Sequence, residues 1–413
     1  MKRKVIAILV PVLLAPTAAL GDDVVRKVKN VQVGPRPYYL VEEMSPSRLK
    51  TELQQCFEEE IQVTDFSIGH RGSALQFPEH TKESYEAAAR MGAGILECDV
   101  TFTEDGHLVC RHAECDLHTT TNILDTGLVG ECSVPPDYSS PTPFAEVRCC
   151  TSDITLNQFK TLCGKMDAGN PNAATVAEYL DSTANWRTDL YSTCGTLLSH
   201  AEAVELFKEL GVGQTPELKS GDAERIAGVF GGQEGYAQAL IDELKAANVP
   251  PERVWAQSFN PDDVFYWINN EPDYGEQAVF LDGRPVADLA TNPPKQREFN
   301  ELKAMGLNII APPMPVLLKV NNNGRIRPSK YARRARRAGL DIISWTTERS
   351  GRIVEDVLPF GGNTFYYQTT LEALNNDGDI MTTIDVLAQR VGIIGLFTDW
   401  PGTVTFYASC KGL

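Results

Sequence analysis

Short apolar runs alternate with longer amphipathic segments along the chain from residue 66 onward. The apolar runs predict nine β-strands, at Phe66–Gly69, Gly94–Val100, Leu108–His112, Thr215–Lys219, Arg253–Ser258, Gln277–Leu281, Leu307–Ala311, Leu340–Trp345 and Ile394–Thr398. Helical spacing of apolar positions predicts helices between several of them, at Thr81–Met91, Ser199–Leu210, Gly235–Ala247 and Ser329–Ala338. Repeated alternation of strand and helix predicts an α/β fold, a closed (β/α)8 TIM barrel.

Nine predicted strands exceed the eight that such a barrel holds, so we expect one of them to be peripheral. Leu307–Ala311 is our candidate for that strand. The connection from Val100 to Leu108 has no room for a crossover helix, and its Asp105-Gly106 pair is a hairpin-type turn signal. We therefore expect the barrel to be distorted there.

The pattern before residue 66 predicts two further regions. Residues 1–21 have a basic start, an apolar run and a small-residue end, as in a secretory signal peptide cleaved near Gly21. Residues 22–65 form an N-terminal extension, in which Ser47–Glu60 is predicted to be a helix with Ser47 as its N-cap. The barrel is then predicted to span 66–410, interrupted by an insertion at 122–196 after the third strand.

The charge of the chain narrows the possible partners. The net charge is −17, and removal of the three basic residues of the predicted leader lowers it to −20. An acidic surface repels nucleic acid and attracts divalent cations. No later segment is apolar for long enough to span a bilayer. We therefore expect no nucleic-acid partner and no stable membrane insertion.

Ten cysteines in an exported chain predict an oxidising compartment and disulfides, in a secreted or periplasmic protein. Six of them fall between His112 and Glu217, where they predict a cross-linked excursion. This excursion is either a cap that narrows the barrel mouth or inert decoration, and we favour the cap. Cys56 and Cys410 lie near the two ends and are hypothesised to join them, while Cys98 and Cys110 are buried core thiols or a structural disulfide.

Polar side chains that can perform chemistry lie at the ends of the predicted strands. In a barrel, the carboxyl ends of the strands form the catalytic face. Carboxylates two residues apart on a strand share a face and suit a hard divalent cation, histidines suit proton transfer, and cationic side chains suit an anionic substrate. These residues are His70, Arg71, Glu97, Asp99, His112, Glu217 and Lys219.

Several of these residues stand in a recognisable series of motifs. The series is His70-Arg71-Gly72, Pro78-Glu79-His80-Thr81, Glu97-x-Asp99-Val100, Asp105-Gly106, His112, Glu217-Leu218-Lys219, Gln257-Ser258-Phe259, Ser344-Trp345-Thr346 and Thr398-Asp399-Trp400-Pro401. It resembles the signature of the glycerophosphodiester phosphodiesterases, which belong to the phospholipase-C-like phosphodiesterase TIM barrels. The resemblance spans about residues 66–402.

The resemblance implies an exported, metal-dependent enzyme that hydrolyses glycerophosphodiesters to an alcohol and glycerol 3-phosphate. It implies that one divalent cation, Ca²⁺ or Mg²⁺, is held by three acids, and that two histidines act as general acid and base in an order that stays open. It also implies that two cationic side chains bind the phosphate and that an aromatic side chain forms one wall of the pocket. The three acids are Glu97, Asp99 and Glu217, and the two histidines are His70 and His112. The phosphate-binding side chains are Arg71 and Lys219, and the aromatic side chain is Trp345.

Two other functions remain open at this stage. One is a phospholipase D-like activity on lysophospholipids or sphingomyelin, and the other is a catalytically silent binding protein on the same barrel. The chain departs from the family pattern at His80, at Ala113 and at Glu348. The substitution at Ala113 removes an aspartate that follows the second histidine, a loss for which Glu114 or Asp116 could compensate.

Overall fold

The computed structural model of the protein describes residues 30–191 and 194–413. The predicted signal peptide, residues 1–21, lies outside the described residues. The strands of the described part are β1 (Thr64–Gly69), β2 (Ala93–Phe102), β3 (Leu108–Cys110), β4 (Cys163–Gly164), β5 (Gly195–Thr196), β6 (Gly213–Leu218), β7 (Gln257–Ser258), β8 (Val279–Leu281), β9 (Ile309–Ala311), β10 (Leu318–Val320), β11 (Ile326–Pro328), β12 (Asp341–Thr347) and β13 (Gly395–Thr398).

Helices connect most of these strands. The α-helices are α1 (Arg36–Glu43), α2 (Arg48–Gln55), α3 (Lys82–Arg90), α4 (Leu117–Thr120), α5 (Leu156–Phe159), α6 (Val176–Leu180), α7 (His200–Leu210), α8 (Ala223–Phe230), α9 (Gln233–Ala246), α10 (Pro261–Asn270), α11 (Pro272–Gly275), α12 (Val286–Thr291), α13 (Gln296–Ala304), α14 (Met314–Leu317), α15 (Lys330–Arg337), α16 (Asp379–Asp385) and α17 (Pro401–Lys411). Two π-helical segments, Ile353–Val357 and Val386–Val391, follow β12.

Eight parallel strands close into the predicted (β/α)8 TIM barrel. Their order around the barrel is β1, β2, β6, β7, β8, β9, β12 and β13, and β13 pairs back to β1. The expectation that Leu307–Ala311 is peripheral is wrong, because β9 pairs in parallel with β8 and β12 inside the barrel. The extra strand is β3, which pairs antiparallel with β2 through the predicted hairpin at Asp105-Gly106.

Two apolar layers hold the barrel together. The outer layer lies between the strands and the surrounding helices. Alternate side chains of the strands point inward and fill the barrel, as period-two alternation requires. This inner set is Ile68, Ile95, Val279, Leu281, Ile309, Ala311, Ile343 and Phe397. The interior of the barrel is therefore packed with apolar side chains.

The N-terminal extension packs beside the last helix of the barrel. The predicted N-cap of α2 is present, because Ser47 Oγ accepts a hydrogen bond from the Lys50 backbone N–H at 3.1 Å. The hypothesised bond between Cys56 and Cys410 is also present, and it links the end of α2 to α17. Of the described helices, none combines the length and apolar character needed to cross a membrane.

The excursion between β3 and β6 has a small apolar core of its own, built around side chains such as Ile123, Phe144 and Phe159. Three disulfides reinforce it: Cys115–Cys150, Cys132–Cys149 and Cys163–Cys194. Cys98 and Cys110 form a fifth disulfide, which joins β2 to β3. Of the two alternatives predicted for Cys98 and Cys110, buried thiols or a disulfide, the structure shows the disulfide.

Candidate active site

The strand register brings the acidic residues into one patch. Asp99 on β2 lies opposite Glu217 on β6, and Glu217 lies opposite Gln257 on β7. Residues paired in this way across parallel strands project to the same face, and Glu97 shares the face of Asp99 because it lies two residues earlier. Oxygens of Glu97, Asp99 and Glu217 consequently lie within 4.8 Å of one another, and all three residues are buried.

The geometry of this acidic cluster fits a divalent cation. Asp99 Oδ1 is buried and has no hydrogen-bond partner among the described residues, so an oxygen lone pair is left available inside the cluster. A buried carboxylate oxygen without a partner is costly, and a hard cation satisfies it. Gln257 Nε2 donates to Glu97 Oε1 at 2.9 Å and orients that carboxylate within the cluster.

The acid–base properties of the three carboxyl groups point the same way. Burial, together with the charges of Asp99 and Glu217, raises the pKa of Glu97 well above its usual value. Burial also raises the pKa of Glu217 to about 7. For Asp99, burial is outweighed by Lys219 and His80, which hold its pKa well below the usual range. Three acids in close contact resist full ionisation, and a divalent cation relieves that repulsion.

A tight turn after β1 presents His70 and Arg71 to the cluster. Arg71 adopts a left-handed backbone conformation with φ 58°, and Gly72 follows at φ 91°. A Cβ atom on Gly72 would lie 2.4 Å from Ser84 Oγ, so α3 can approach this turn only if the residue is glycine. The Arg71 backbone N–H donates to Glu97 Oε2 at 3.0 Å, which ties the turn to the acidic cluster.

His70 is oriented by a carboxylate from the last strand. Its Nδ1 is hydrogen-bonded to Asp399 Oδ1, while its Nε2 lies 3.9 Å from Glu97 Oε2. Burial would raise the pKa of Asp399, but Arg349 and His70 lower it to about 2. An ionised carboxylate can only accept, so Nδ1 carries the proton and Nε2 is left facing the cluster. Burial lowers the pKa of His70 itself despite the attraction of Asp399.

Two cations flank the acidic cluster. Arg71 Nη1 donates to Glu79 Oε1 at 2.9 Å, and its Nε lies 3.5 Å from Asp99 Oδ2. Lys219 Nζ donates to Glu217 Oε1 at 2.6 Å. Burial disfavours the charge on Lys219, but Glu217 and Asp99 outweigh it and raise the lysine pKa. Both side chains are therefore charged and face the same cavity as the acids.

His112 also faces this cavity, two residues beyond the end of β3. Burial, reinforced by Arg71 and Lys219, lowers its pKa well below the usual value. The turn that carries it is held by Asp116, whose Oδ2 accepts the Ala113 backbone N–H at 3.0 Å. Of the two proposed substitutes for the missing aspartate, Asp116 supports this turn, whereas Glu114 bonds Ser152 and the Asp222 backbone.

A cavity of about 320 Å³ unites these groups. Its base carries the two histidines, the two cations and two of the three clustered acids, Glu97 and Glu217. Its wall is aromatic: Trp345 packs edge-on against Phe259 at 5.8 Å and against Tyr366 at 6.3 Å between ring centroids. All eight residues predicted for the site therefore lie in or against one cavity, with Asp99 at its edge through the cluster it forms with Glu97 and Glu217.

His80 and Glu348, two of the residues that depart from the family pattern, lie in different parts of the structure. His80 is fully buried beside the cluster, where its Nε2 bonds Asp99 Oδ2 at 2.9 Å and its Nδ1 bonds the Tyr85 hydroxyl at 2.8 Å. Glu348 does not line the cavity; it pairs with Arg36 and with Thr403. His80 thus supports a candidate metal ligand, whereas Glu348 anchors the N-terminal extension.

Sequence reasoning assigned no role to three other polar residues that contact the site. Asp399 orients His70, Gln257 orients Glu97, and Arg349 donates from Nη1 to Asp399 Oδ2 at 3.1 Å. A signal was available for the first two, because both stand at strand ends inside the motif series. Arg349 lies in a loop outside the motifs, and no sequence signal pointed to it.

The fold and the cavity define a (β/α)8-barrel protein whose catalytic face suits a phosphate ester next to an acidic cluster. The model of the glycerophosphoryl diester phosphodiesterase family matches residues 70–403. The chain belongs to this family, and with it to the phosphoric diester hydrolases.

The chain is also similar to individual proteins. An extracellular protein of Arthroderma benhamiae is 44% identical over 250 residues, which are 60% of this chain and 100% of that protein. The glycerophosphodiester phosphodiesterase GDPD6 of Arabidopsis thaliana is 22% identical over 386 residues, covering 88% of this chain and 91% of its own. The crystal structure of a putative glycerophosphoryl diester phosphodiesterase from Silicibacter pomeroyi has a TM-score of 0.52 at 17% identity, over 86% of this chain and 95% of that one.

Proposed function

We propose that the protein is an exported, metal-dependent glycerophosphodiester phosphodiesterase that releases an alcohol and glycerol 3-phosphate. The observation that carries the proposal is the cavity at which the acidic cluster, two histidines and two cationic side chains meet. Family membership supports the reaction class. A silent binding protein on this barrel is disfavoured because each group that the chemistry needs is present.

The charges of the cavity suit a phosphodiester. Glu97, Asp99 and Glu217 would hold one divalent cation, Ca²⁺ or Mg²⁺, which when bound supplies positive charge to a phosphoryl oxygen. Arg71 and Lys219 would bind the remaining phosphate oxygens from the two sides of the cluster. A phosphodiester carries one negative charge and gains more at the transition state, so fixed cations stabilise the transition state more than the substrate.

The two histidines supply proton transfer. One removes the proton from the nucleophile, and the other donates a proton to the leaving alkoxide. The structure supports a fixed orientation for His70, because Asp399 holds its Nδ1–H and leaves Nε2 toward the cluster. His112 faces the same cavity without a side-chain hydrogen bond in the described part of the chain.

Export is part of the proposal. The predicted leader at residues 1–21 supports it, and so do the five disulfides of the described residues, because such bonds persist in oxidising compartments. The extracellular protein of Arthroderma benhamiae, which is similar over 250 residues, agrees with this location. Identification of the mature N-terminus in culture supernatant tests it, and retention of the protein in the cytoplasm would contradict it.

A lysophospholipid substrate is the second candidate. Phe259 and Phe365 line the cavity while remaining 42% and 45% exposed, which gives the mouth an apolar lip. An exposed apolar lip of this kind can receive an acyl chain.

Product analysis separates the two candidates. Mature protein is incubated with glycerophosphocholine, glycerophosphoethanolamine, glycerophosphoglycerol or lysophosphatidylcholine, with and without EDTA. We expect glycerol 3-phosphate from at least one of the first three, and loss of that product in EDTA. Cleavage of lysophosphatidylcholine alone would instead support the phospholipase D-like activity. Full turnover in EDTA would refute the metal dependence.

A further inference from the structure

We infer that Arg349 is a positioning residue for His70 and that the disulfide-linked excursion holds it in place through Asp167. The inference rests on the proposed function, because it assumes that His70 transfers a proton. It assigns a role to a residue outside the motif series, and it connects the excursion at 122–196 to the chemistry of the barrel.

Arg349 occupies the centre of an ionic network above the catalytic histidine. Its Nη1 donates to Asp399 Oδ2 at 3.1 Å, and the other oxygen of Asp399 accepts from His70 Nδ1. Its Nη2 lies 3.5 Å from Glu79 Oε2 and 3.7 Å from Asp167 Oδ2. The guanidinium therefore bridges the last strand, the turn after β1 and the excursion.

This position determines how Asp399 can act. A carboxylate that is bonded on one oxygen alone can rotate, whereas a second bond to the other oxygen fixes its plane. Arg349 supplies this second bond, so the ring of His70 is held at the angle that directs Nε2 toward Glu97. The side chain of Arg349 is only 15% exposed, so solvent does not replace that bond easily.

Hydrogen bonds within the excursion hold the backbone on both sides of Asp167. Lys165 Nζ donates to the carbonyl oxygens of Met166 and Ala168, one on each side of Asp167, at 2.8 Å each. Arg187 Nη1 donates to the Asp167 backbone carbonyl at 3.3 Å. Both Lys165 and Arg187 lie within the loop that the Cys163–Cys194 disulfide closes.

The same loop is tied to the barrel beside the site. The Thr188 backbone N–H donates to the Leu75 carbonyl at 3.0 Å, and the Leu75 N–H donates to the Asp399 carbonyl at 3.2 Å. The excursion thus contacts the network at Asp167 and again through the backbone of Asp399. Arg349 lines the catalytic cavity, whereas none of the described residues of 122–196 does, so the ion pair between Asp167 and Arg349 links the excursion to a side chain of the cavity.

A double-mutant cycle on turnover tests the inference. We expect Arg349→Ala to lower kcat by about 100-fold with little change in KM, because a small misplacement of a reacting group has an effect of that size. We expect Asp167→Ala and the milder Asp167→Asn to lower kcat by about threefold to tenfold, and to have no further effect once Arg349 is alanine. Arg352→Ala is the matched control, because Arg352 belongs to the same loop but bonds Asp356 instead.

The His70 Nδ1 proton provides a readout that a merely structural role would not move. Its NMR resonance should shift in the Arg349→Ala and Asp167→Ala variants and stay in place in Arg352→Ala, while the thermal midpoint and metal affinity stay close to those of the parent. A rise in KM with unchanged kcat for Arg349→Ala, or additive effects of the two substitutions, would overturn the inference.

His70→Ala, measured in the same experiment, tests separately the proton transfer that the proposed function assigns to His70. If His70→Ala keeps full turnover, the proposed proton transfer fails, whatever Arg349 does. If His70→Ala is inactive while both Arg349→Ala and Asp167→Ala turn over normally, the positioning inference alone fails.

Discussion

The buried carboxyl group of Asp116 should make the stability of the protein fall as the pH rises. Asp116 supports the turn that carries His112, and burial raises its pKa from 3.8 to about 7 despite the nearby Arg111. Glu79 and Asp167 also face it and add to the shift. Between these two pKa values the native state holds a proton that the unfolded state has released. The free energy of unfolding therefore decreases across that interval.

The size of this effect follows from the shift. About three pKa units at 1.36 kcal/mol each correspond to about 4 kcal/mol once the group is fully ionised. Asp116→Asn keeps an acceptor for the Ala113 N–H and cannot ionise. Near pH 4 the free energies of unfolding of the variant and the parent should differ only by the fixed effect of the substitution. By pH 8 the free energy of unfolding of the variant should have risen by up to about 4 kcal/mol relative to that of the parent.

Urea denaturation at pH 4, 6 and 8 under non-reducing conditions measures this difference. Asp125→Asn is the control, because Asp125 is an exposed carboxyl group a short way further along the chain. The difference between the parent and Asp116→Asn should grow with pH, while the control follows the parent. A constant difference at all three pH values would refute the reasoning.

Two further predictions concern the framework and the acidic cluster. The bond between Cys56 and Cys410 closes a loop of 354 residues, so its replacement by two serines should lower the free energy of unfolding by about 5 kcal/mol; a loss below about 1 kcal/mol in urea denaturation would contradict this. Glu217→Gln removes one of three clustered carboxylates. Titration calorimetry should therefore show Ca²⁺ or Mg²⁺ binding weakened at least tenfold, a loss of about 1.4 kcal/mol in binding free energy. Glu276→Gln makes the same change at an exposed residue outside the cluster and is the control. Equal affinities in both variants would argue against a cation at this position.

The sequence was sufficient to predict where the acidic cluster lies, because strand geometry at this end of the barrel is regular. Residues two apart on a strand share a side, and the carboxyl ends of parallel strands meet at one rim. These two rules place Glu97, Asp99 and Glu217 together without any knowledge of the loops. The error at Leu307–Ala311 arose because apolar runs do not reveal strand direction. The hairpin at Asp105-Gly106 carried that information and identifies β3 as the antiparallel strand.

The contacts that orient the site could not be predicted in the same way. The bond between His70 and Asp399 joins residues 329 positions apart, and the contact of Arg349 with Asp167 depends on the path of two loops. Arg71 and Glu348 take left-handed backbone conformations that their residue types do not favour, so local propensity gave no guide to those paths. Such contacts are set by packing of the whole chain.

The proton-transfer role of the two histidines is tested most directly by turnover of His70→Ala and His112→Ala. Release of glycerol 3-phosphate from the best glycerophosphodiester substrate is measured at saturating divalent cation, with the thermal midpoint as the control for folding. We expect each variant to lose at least about 100-fold in kcat while it remains folded. Full turnover by either folded variant would contradict the assignment of that histidine as the acid or the base.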